Sequence, residues 1–141
     1  MKILISSLLV SATLLSTTGC EKREYGRIYD KSLLSSPPSC MKLNLFPNDE
    51  EIGKTLKRLY PFSEKCPYRL EVSYKDAIHC NSTQNVERKV NSNFPSAFLR
   101  FDLYKGMKPL YSYYKDLTHP PQEEDFEEAL ESLQRDLHLD R

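Results

Sequence analysis

Apolar and polar side chains alternate along two stretches of this chain, and this period of two constrains the possible folds more than any other feature. In the first stretch the apolar positions are Tyr68, Leu70, Val72, Tyr74, Ile78 and Cys80. In the second they are Ala97, Leu99, Phe101 and Leu103, before a turn at 105–108 and a tyrosine-rich run at 110–117. Successive side chains of a strand point to opposite faces of a sheet. The pattern therefore predicts one long, half-buried strand and then a β-hairpin.

Two other stretches have the helical period. Residues 49–60 start within the N-cap sequence Asn-Asp-Glu-Glu and repeat apolar side chains three and four positions apart until a proline ends the run. A second helix is predicted from Glu123, with an acidic first turn that suits the helix dipole and an apolar stripe at Phe126, Leu130, Leu133 and Leu137. The polar segment 81–93 fits a short helix or a strand about equally, and we favour the helix.

The order of these elements predicts an α+β fold. A small antiparallel sheet of about three to four strands would carry the N-terminal and C-terminal helices on one face. Residues 48–141 would form this single domain. Residues 20–47 are rich in serine, proline and charged side chains. They show neither the strand period of two nor the helical period, so they are predicted to be a flexible tether.

The charge balance excludes some functions. The chain has 20 basic and 20 acidic residues, whereas nucleic-acid binding needs a positive field that displaces counterions from phosphates. With 4 glycines in the whole chain, the sequence also has no glycine-rich loop for phosphate groups. We therefore expect no nucleic-acid partner and no cofactor.

The N-terminus is organised like a secretory signal. A lysine at position 2 precedes an apolar stretch that ends at Leu15, which is shorter than the roughly 20 residues of a membrane-spanning helix. Small residues at 17–19 precede Cys20, and this sequence resembles the lipobox of bacterial lipoproteins. The resemblance implies that residues 1–19 are removed and that an acylated Cys20 anchors the chain in a lipid bilayer. Ordinary cleavage near Cys20 and an uncleaved anchor are the alternatives.

The residue after the cysteine bears on the location. It is Glu21, whereas enteric lipoproteins that stay in the inner membrane have aspartate there. The resemblance therefore implies the bacterial cell envelope, with the chain anchored in the outer membrane and facing the periplasm. As a flexible coil, the roughly 28 residues of the predicted tether would hold the domain about 30 Å from the bilayer.

Three cysteines remain if Cys20 is lipidated, in a compartment that permits disulfides. Cys66 and Cys80 flank the predicted long strand and would lie about 46 Å apart, too far to pair. Cys40 can reach either of them; we favour Cys40–Cys66, and the alternatives are Cys40–Cys80 and three reduced cysteines. The cysteines lack the close pairs of a structural zinc site, and the adjacent His79 and Cys80 would point to opposite faces of a strand. We therefore predict neither a metal site nor a catalytic thiol.

The candidate partner-binding residues are Tyr111, Tyr113 and Tyr114. Their spacing puts tyrosine on both faces of a predicted strand, so at least one ring would face solvent or an interface. If that strand is a sheet edge, its free backbone groups could also accept a strand from a partner. Cross-strand packing within the domain is the alternative explanation.

The sequence lacks the short motifs G-x-S-x-G, H-E-x-x-H and C-x-x-C, so we predict no catalytic residues and no enzymatic activity. We expect a non-enzymatic lipoprotein that presents a small domain to an envelope protein. The alternative is a small-ligand-binding periplasmic lipoprotein, with a pocket lined by Tyr74, Phe101 and Phe126.

The element order over 49–138 is loosely similar to two groups of bacterial lipoproteins. One group plugs the outer-membrane lipopolysaccharide transporter, and the other assists lipid-transport systems. This similarity concerns the fold alone and implies no particular site residue.

Overall fold

The computed structural model describes residues 23–78 and 95–139. These residues form five strands and three helices, in the order β1 (Glu24–Ile28), α1 (Ser32–Ser35), β2 (Lys42–Phe46), α2 (Glu50–Leu59), β3 (Tyr68–Lys75), β4 (Ala97–Lys105), β5 (Lys108–Leu117) and α3 (Glu123–Asp136). The predicted α+β class is confirmed, as are the two predicted helices and the β-hairpin. The segment 81–93 lies outside the described residues, as do His79 and Cys80.

All five strands of the described residues belong to one sheet in the order β1-β5-β4-β3-β2. Strands β2 and β3 run parallel, and the other neighbouring pairs are antiparallel. The predicted antiparallel sheet of three to four strands is therefore only roughly right. The parallel pair arises because α2 crosses over between β2 and β3, and parallel neighbours need such a connection.

Two of the strands lie in the segment that the sequence predicted to be a tether. Strands β1 and β2 have five residues each and form the two edges of the sheet. The tether prediction is therefore wrong for residues 23–47, and the folded domain includes β1 rather than beginning at residue 48. Strands this short have too few positions to reveal a period. In addition, β1 is exposed along most of its length, because only one of its sides meets another strand.

Strand β3 is shorter than the alternation predicts. The apolar pattern continues to Cys80, whereas the strand ends at Lys75, which lies opposite Phe98. Beyond Lys75 the regular ladder with β4 stops, and the Ile78 N–H donates to the Ser96 carbonyl, just before the start of β4, at 2.6 Å. Alternation shows which side chains can be buried, but the neighbouring strand decides where the ladder ends.

Helices α2 and α3 pack side by side on one face of the sheet, which we call the helix face. The Asp49 carboxylate caps α2 by accepting hydrogen bonds from the N–H groups of Glu51 and Ile52 at 2.9 and 3.1 Å. The strand register aligns inward side chains in rows, such as Leu45, Val72, Phe101 and Tyr113. Against these rows α3 buries Phe126, Ala129, Leu130 and Leu133.

Candidate interaction surface

A disulfide joins Cys40 to Cys66, with 5.9 Å between their Cα atoms. It connects the segment before β2 to the loop before β3, and it is the pair that the sequence favoured. Cys20 and Cys80 lie outside the described residues. Within residues 23–78 and 95–139, no group of three or more His, Cys, Asp or Glu side chains is placed to hold a metal ion.

Tyr111 and Tyr113 point to the helix face, where 0% and 2% of their surfaces are exposed. Their hydroxyls donate hydrogen bonds to the carboxylates of Asp136 and Glu24, each at 2.8 Å. Strand β5 is also not an edge, because it pairs with β4 on one side and β1 on the other. The prediction that these two tyrosines bind a partner is therefore wrong. Strand β1, which the sequence did not reveal, occupies the side of β5 that could have received a partner strand.

Burial raises the pKa of the Tyr111 and Tyr113 hydroxyls, and the hydrogen bonds to the neighbouring carboxylates raise it further. An ionised phenolate at either position would lie beside a carboxylate in a site with little water to separate the two charges. Both tyrosines therefore remain protonated donors. Because Glu24 lies on β1 and Asp136 ends α3, the two hydroxyls attach these elements to β5.

Tyr114 points to the other side of the sheet, which we call the open face. Its ring lies between those of Tyr25 and Phe98, with centroid separations of 5.6 and 6.0 Å and interplanar angles of 27° and 18°. We call these three residues the aromatic row, which crosses β1, β5 and β4. The Tyr114 hydroxyl donates to Asp116 at 2.7 Å, and burial together with this bond raises the pKa of Tyr114 to about 12.

Among the described residues, both long helices pack on the helix face, and the open face keeps accessible aromatic side chains at the two edges of the sheet. Tyr25 on β1 and Phe46 on β2 are each 52% exposed. Sequence reasoning found Tyr114 but missed these two residues and Phe98. Phe98 occupies a polar position of the alternating pattern, and an aromatic residue there could have indicated a second face with apolar character.

The charged groups at the centre of the open face pair with one another. Arg100 binds Asp102 at 2.7 Å, and Arg69 binds Glu71 at 2.8 Å while its guanidinium lies 5.2 Å from the ring centroid of Tyr104. Burial lowers the pKa of Arg100, but the charge and hydrogen bond of Asp102 outweigh burial and raise it. Each arginine is thus paired with a carboxylate, and the centre of the face is electrically balanced.

The rings that were expected to line a ligand pocket pack inside the core instead. Those of Tyr74 and Phe126 meet edge to face with centroids 5.6 Å apart, and Phe101 is fully buried. Edge-to-face packing is a favoured arrangement of aromatic rings, so these side chains fill the space between the sheet and α3 themselves.

Comparison with protein-family models, characterised proteins and solved structures finds no match to this chain. In the part of the chain that the structure describes, no helix is long and apolar enough to cross a membrane. The residues of the open face are therefore the candidate functional site.

Proposed function

We propose that this protein is a non-enzymatic lipoprotein of the bacterial envelope that binds a protein partner through its open face. The observation that carries the proposal is the aromatic row, which lies on the face opposite the helices and ends at the exposed Tyr25. Tyr and Phe combine a large apolar area with few rotatable bonds, and tyrosine is enriched in interfaces. Cys20, through its resemblance to a lipobox cysteine, is the proposed anchor in the lipid bilayer.

The shape and charge of the open face favour a protein over a small molecule. Small ligands bind in concave sites that bury most of their surface, whereas this face is one side of a sheet. The arginines and carboxylates at its centre are already paired, so a partner can cover them without leaving an isolated buried charge. The partner is proposed to present an apolar patch with polar groups around it, as the centre and rim of protein interfaces do.

The proposed anchor would hold the domain close to the membrane. Strand β1 begins four residues after Cys20, and an extended chain of that length spans at most about 14 Å. This is less than half of the roughly 30 Å that a flexible 28-residue tether would allow. The partner is therefore proposed to be an envelope protein whose binding surface lies near the periplasmic side of the outer membrane.

Photo-crosslinking in bacteria tests the open face in the full-length chain. A photoreactive phenylalanine analogue replaces Phe46, which is 52% exposed on β2. We expect a covalent adduct with one envelope protein, and we expect its yield to fall when Tyr104→Ala removes a ring from β4 on the same face. The matched control places the analogue at Leu34, which is 42% exposed on α1, outside the sheet.

Two results would contradict the proposal. The first is that the analogue at Phe46 gives no adduct. The second is that the analogue at Leu34 captures the same protein with equal yield. In either case the open face would have no specific partner. Thermal unfolding of the purified variants shows whether each of them is folded.

A further inference from the structure

The outer edge of β1 has hydrogen-bonding groups that no described residue pairs. Two bonds define the inner edge: the Asp116 N–H donates to the Arg23 carbonyl at 2.7 Å, and the Tyr29 N–H donates to the Leu110 carbonyl at 2.8 Å. In an antiparallel ladder, alternate residues bond to the same neighbour. The odd-numbered residues of β1 therefore bond to β5. The N–H and carbonyl groups that point away from the sheet belong to Glu24, Gly26 and Ile28.

We propose that this edge pairs with β1 of a second copy of the chain, antiparallel and with Gly26 on the two-fold axis. Glu24 then lies opposite Ile28 of the second copy, and Gly26 lies opposite its own equivalent. Each of the three hydrogen-bonded pairs exchanges two hydrogen bonds. The interface therefore contains about six hydrogen bonds and uses every outward backbone group of β1. Shifting the register by two residues leaves only about four.

The same register matches side chains on the open face. Tyr25 lies opposite Arg27 of the second copy, at a non-hydrogen-bonded position where side chains approach most closely. Within one copy, the Arg27 guanidinium lies 5.2 Å from the ring centroid of Tyr29. The aromatic row ends at Tyr25, and the planar guanidinium from the second copy continues it across the interface.

Charge and backbone geometry exclude the neighbouring registers. A shift of two residues in one direction places Arg27 opposite Arg27 of the second copy, and a shift in the other direction places Arg23 opposite Arg27. Like charges directly opposite each other destabilise a strand pair. A shift of one residue brings outward groups opposite inward ones, so the hydrogen bonds cannot form.

Gly26 lets the edge strand, α3 and a second copy meet at the axis. A Cβ at this position would clash with the Asp136 carboxylate and lie 2.8 Å from the Tyr111 hydroxyl oxygen. Asp136 contributes a negative charge beside the axis, and the exposed Arg135, 4.0 Å away, offsets it within each copy. The open faces of the two copies then form one continuous surface.

Charged substitutions test the register in the full-length chain, purified in detergent. Tyr25→Lys places a positive charge opposite Arg27 of the second copy at both symmetry-related positions, and we expect the dimer dissociation constant to rise about tenfold. Adding Arg27→Glu makes each of these pairs attractive, and we expect the double variant to return to within about threefold of the unsubstituted chain. Sedimentation equilibrium in density-matched detergent measures the constants.

Phe46→Lys is the matched control, because it makes the same replacement of an aromatic ring, also 52% exposed, on the opposite edge strand. We expect it to leave the dimer unchanged. The proposal is overturned if the unsubstituted chain is monomeric, if Phe46→Lys weakens the dimer as much as Tyr25→Lys, or if the double variant does not recover. A monomer that still forms the adduct through Phe46 would overturn the dimer alone and leave the proposed function standing.

Discussion

Tyr113 and Tyr114 are consecutive residues of β5, yet they serve different parts of the molecule. The first lies on the helix face and donates a hydrogen bond to Glu24, and the second lies in the aromatic row of the open face. The period of two predicts that tyrosines occupy both sides of this strand. Which side is buried depends on how α3, the next element of the chain, folds back onto the sheet. For this reason only Tyr114, of the three predicted residues, belongs to the candidate surface.

Tyr111→Phe tests the buried hydroxyl on β5. The substitution removes the hydrogen bond to Asp136, and we expect the free energy of unfolding to fall by about 1 kcal/mol at neutral pH. Because the folded pKa of Tyr111 is raised, its contribution to stability is complete below the unfolded pKa of about 10 and is lost as the pH rises through the folded pKa. Above about pH 10, stability should therefore fall more steeply in the unsubstituted chain than in the variant.

Denaturant unfolding between about pH 8 and pH 12 measures how steeply the free energy of unfolding falls with pH in the unsubstituted chain and in Tyr111→Phe. Tyr29→Phe is the control, because it removes a hydroxyl from a ring that is 47% exposed, and we expect the stability at neutral pH to stay unchanged. Equal slopes for Tyr111→Phe and the unsubstituted chain would show that this hydroxyl does not link stability to pH.

At the scale of the element, the start of α3 depends on a contact with the sheet. The Gln122 N–H donates to the Asp125 carboxylate at 2.9 Å, and the Lys115 ammonium of β5 binds the same carboxylate at 3.2 Å. Burial lowers the pKa of Lys115, but its hydrogen bonds to Glu128 and Asp125 outweigh burial and raise it. The sequence predicts the acidic first turn, whereas the contact with Lys115 follows only from the packing of α3 on the sheet.

Asp125→Ala tests this helix start. Asp125 is 6% exposed, and its removal leaves the Gln122 N–H and one side of the Lys115 ammonium without their acceptor. We expect the free energy of unfolding to fall by about 1–3 kcal/mol in denaturant unfolding. Glu124→Ala removes the same charge from the same turn at an exposed position, and its expected effect is within about 0.5 kcal/mol. Equal losses would mean that the helix dipole, rather than these hydrogen bonds, accounts for the effect.

The long elements were predictable from the sequence, and the short ones were not. A ten-residue helix and strands of eight to ten residues repeat their pattern often enough to be identified. Strand β2 shows only two alternating leucines, Leu43 and Leu45, which pair with Leu70 and Val72 of β3. Its position beside β3 depends on the α2 crossover, so the parallel pair could not be read from local pattern alone.

At the scale of the whole molecule, one mass measurement tests the anchor and the disulfide together. For the chain extracted from membranes, we expect cleavage before Cys20, added acyl mass, and alkylation of Cys80 alone until a reductant exposes Cys40 and Cys66. Cys20→Ala should lose the acyl mass. An unacylated Cys20 would contradict the proposed lipoprotein, and alkylation of Cys40 without a reductant would contradict the disulfide.

The sequence by itself determined the α+β class, the two long helices, the hairpin and the preference for Cys40–Cys66, because these follow from local periods and from the spacing of residues along the chain. The tertiary structure decided that residues 23–47 supply two edge strands, that Tyr111 and Tyr113 are buried, and that Tyr25, Tyr114 and Phe98 form a row. These features arise from contacts between residues far apart in sequence. An edge strand of five residues has no strong local signal, and it gains its structure from the strand beside it.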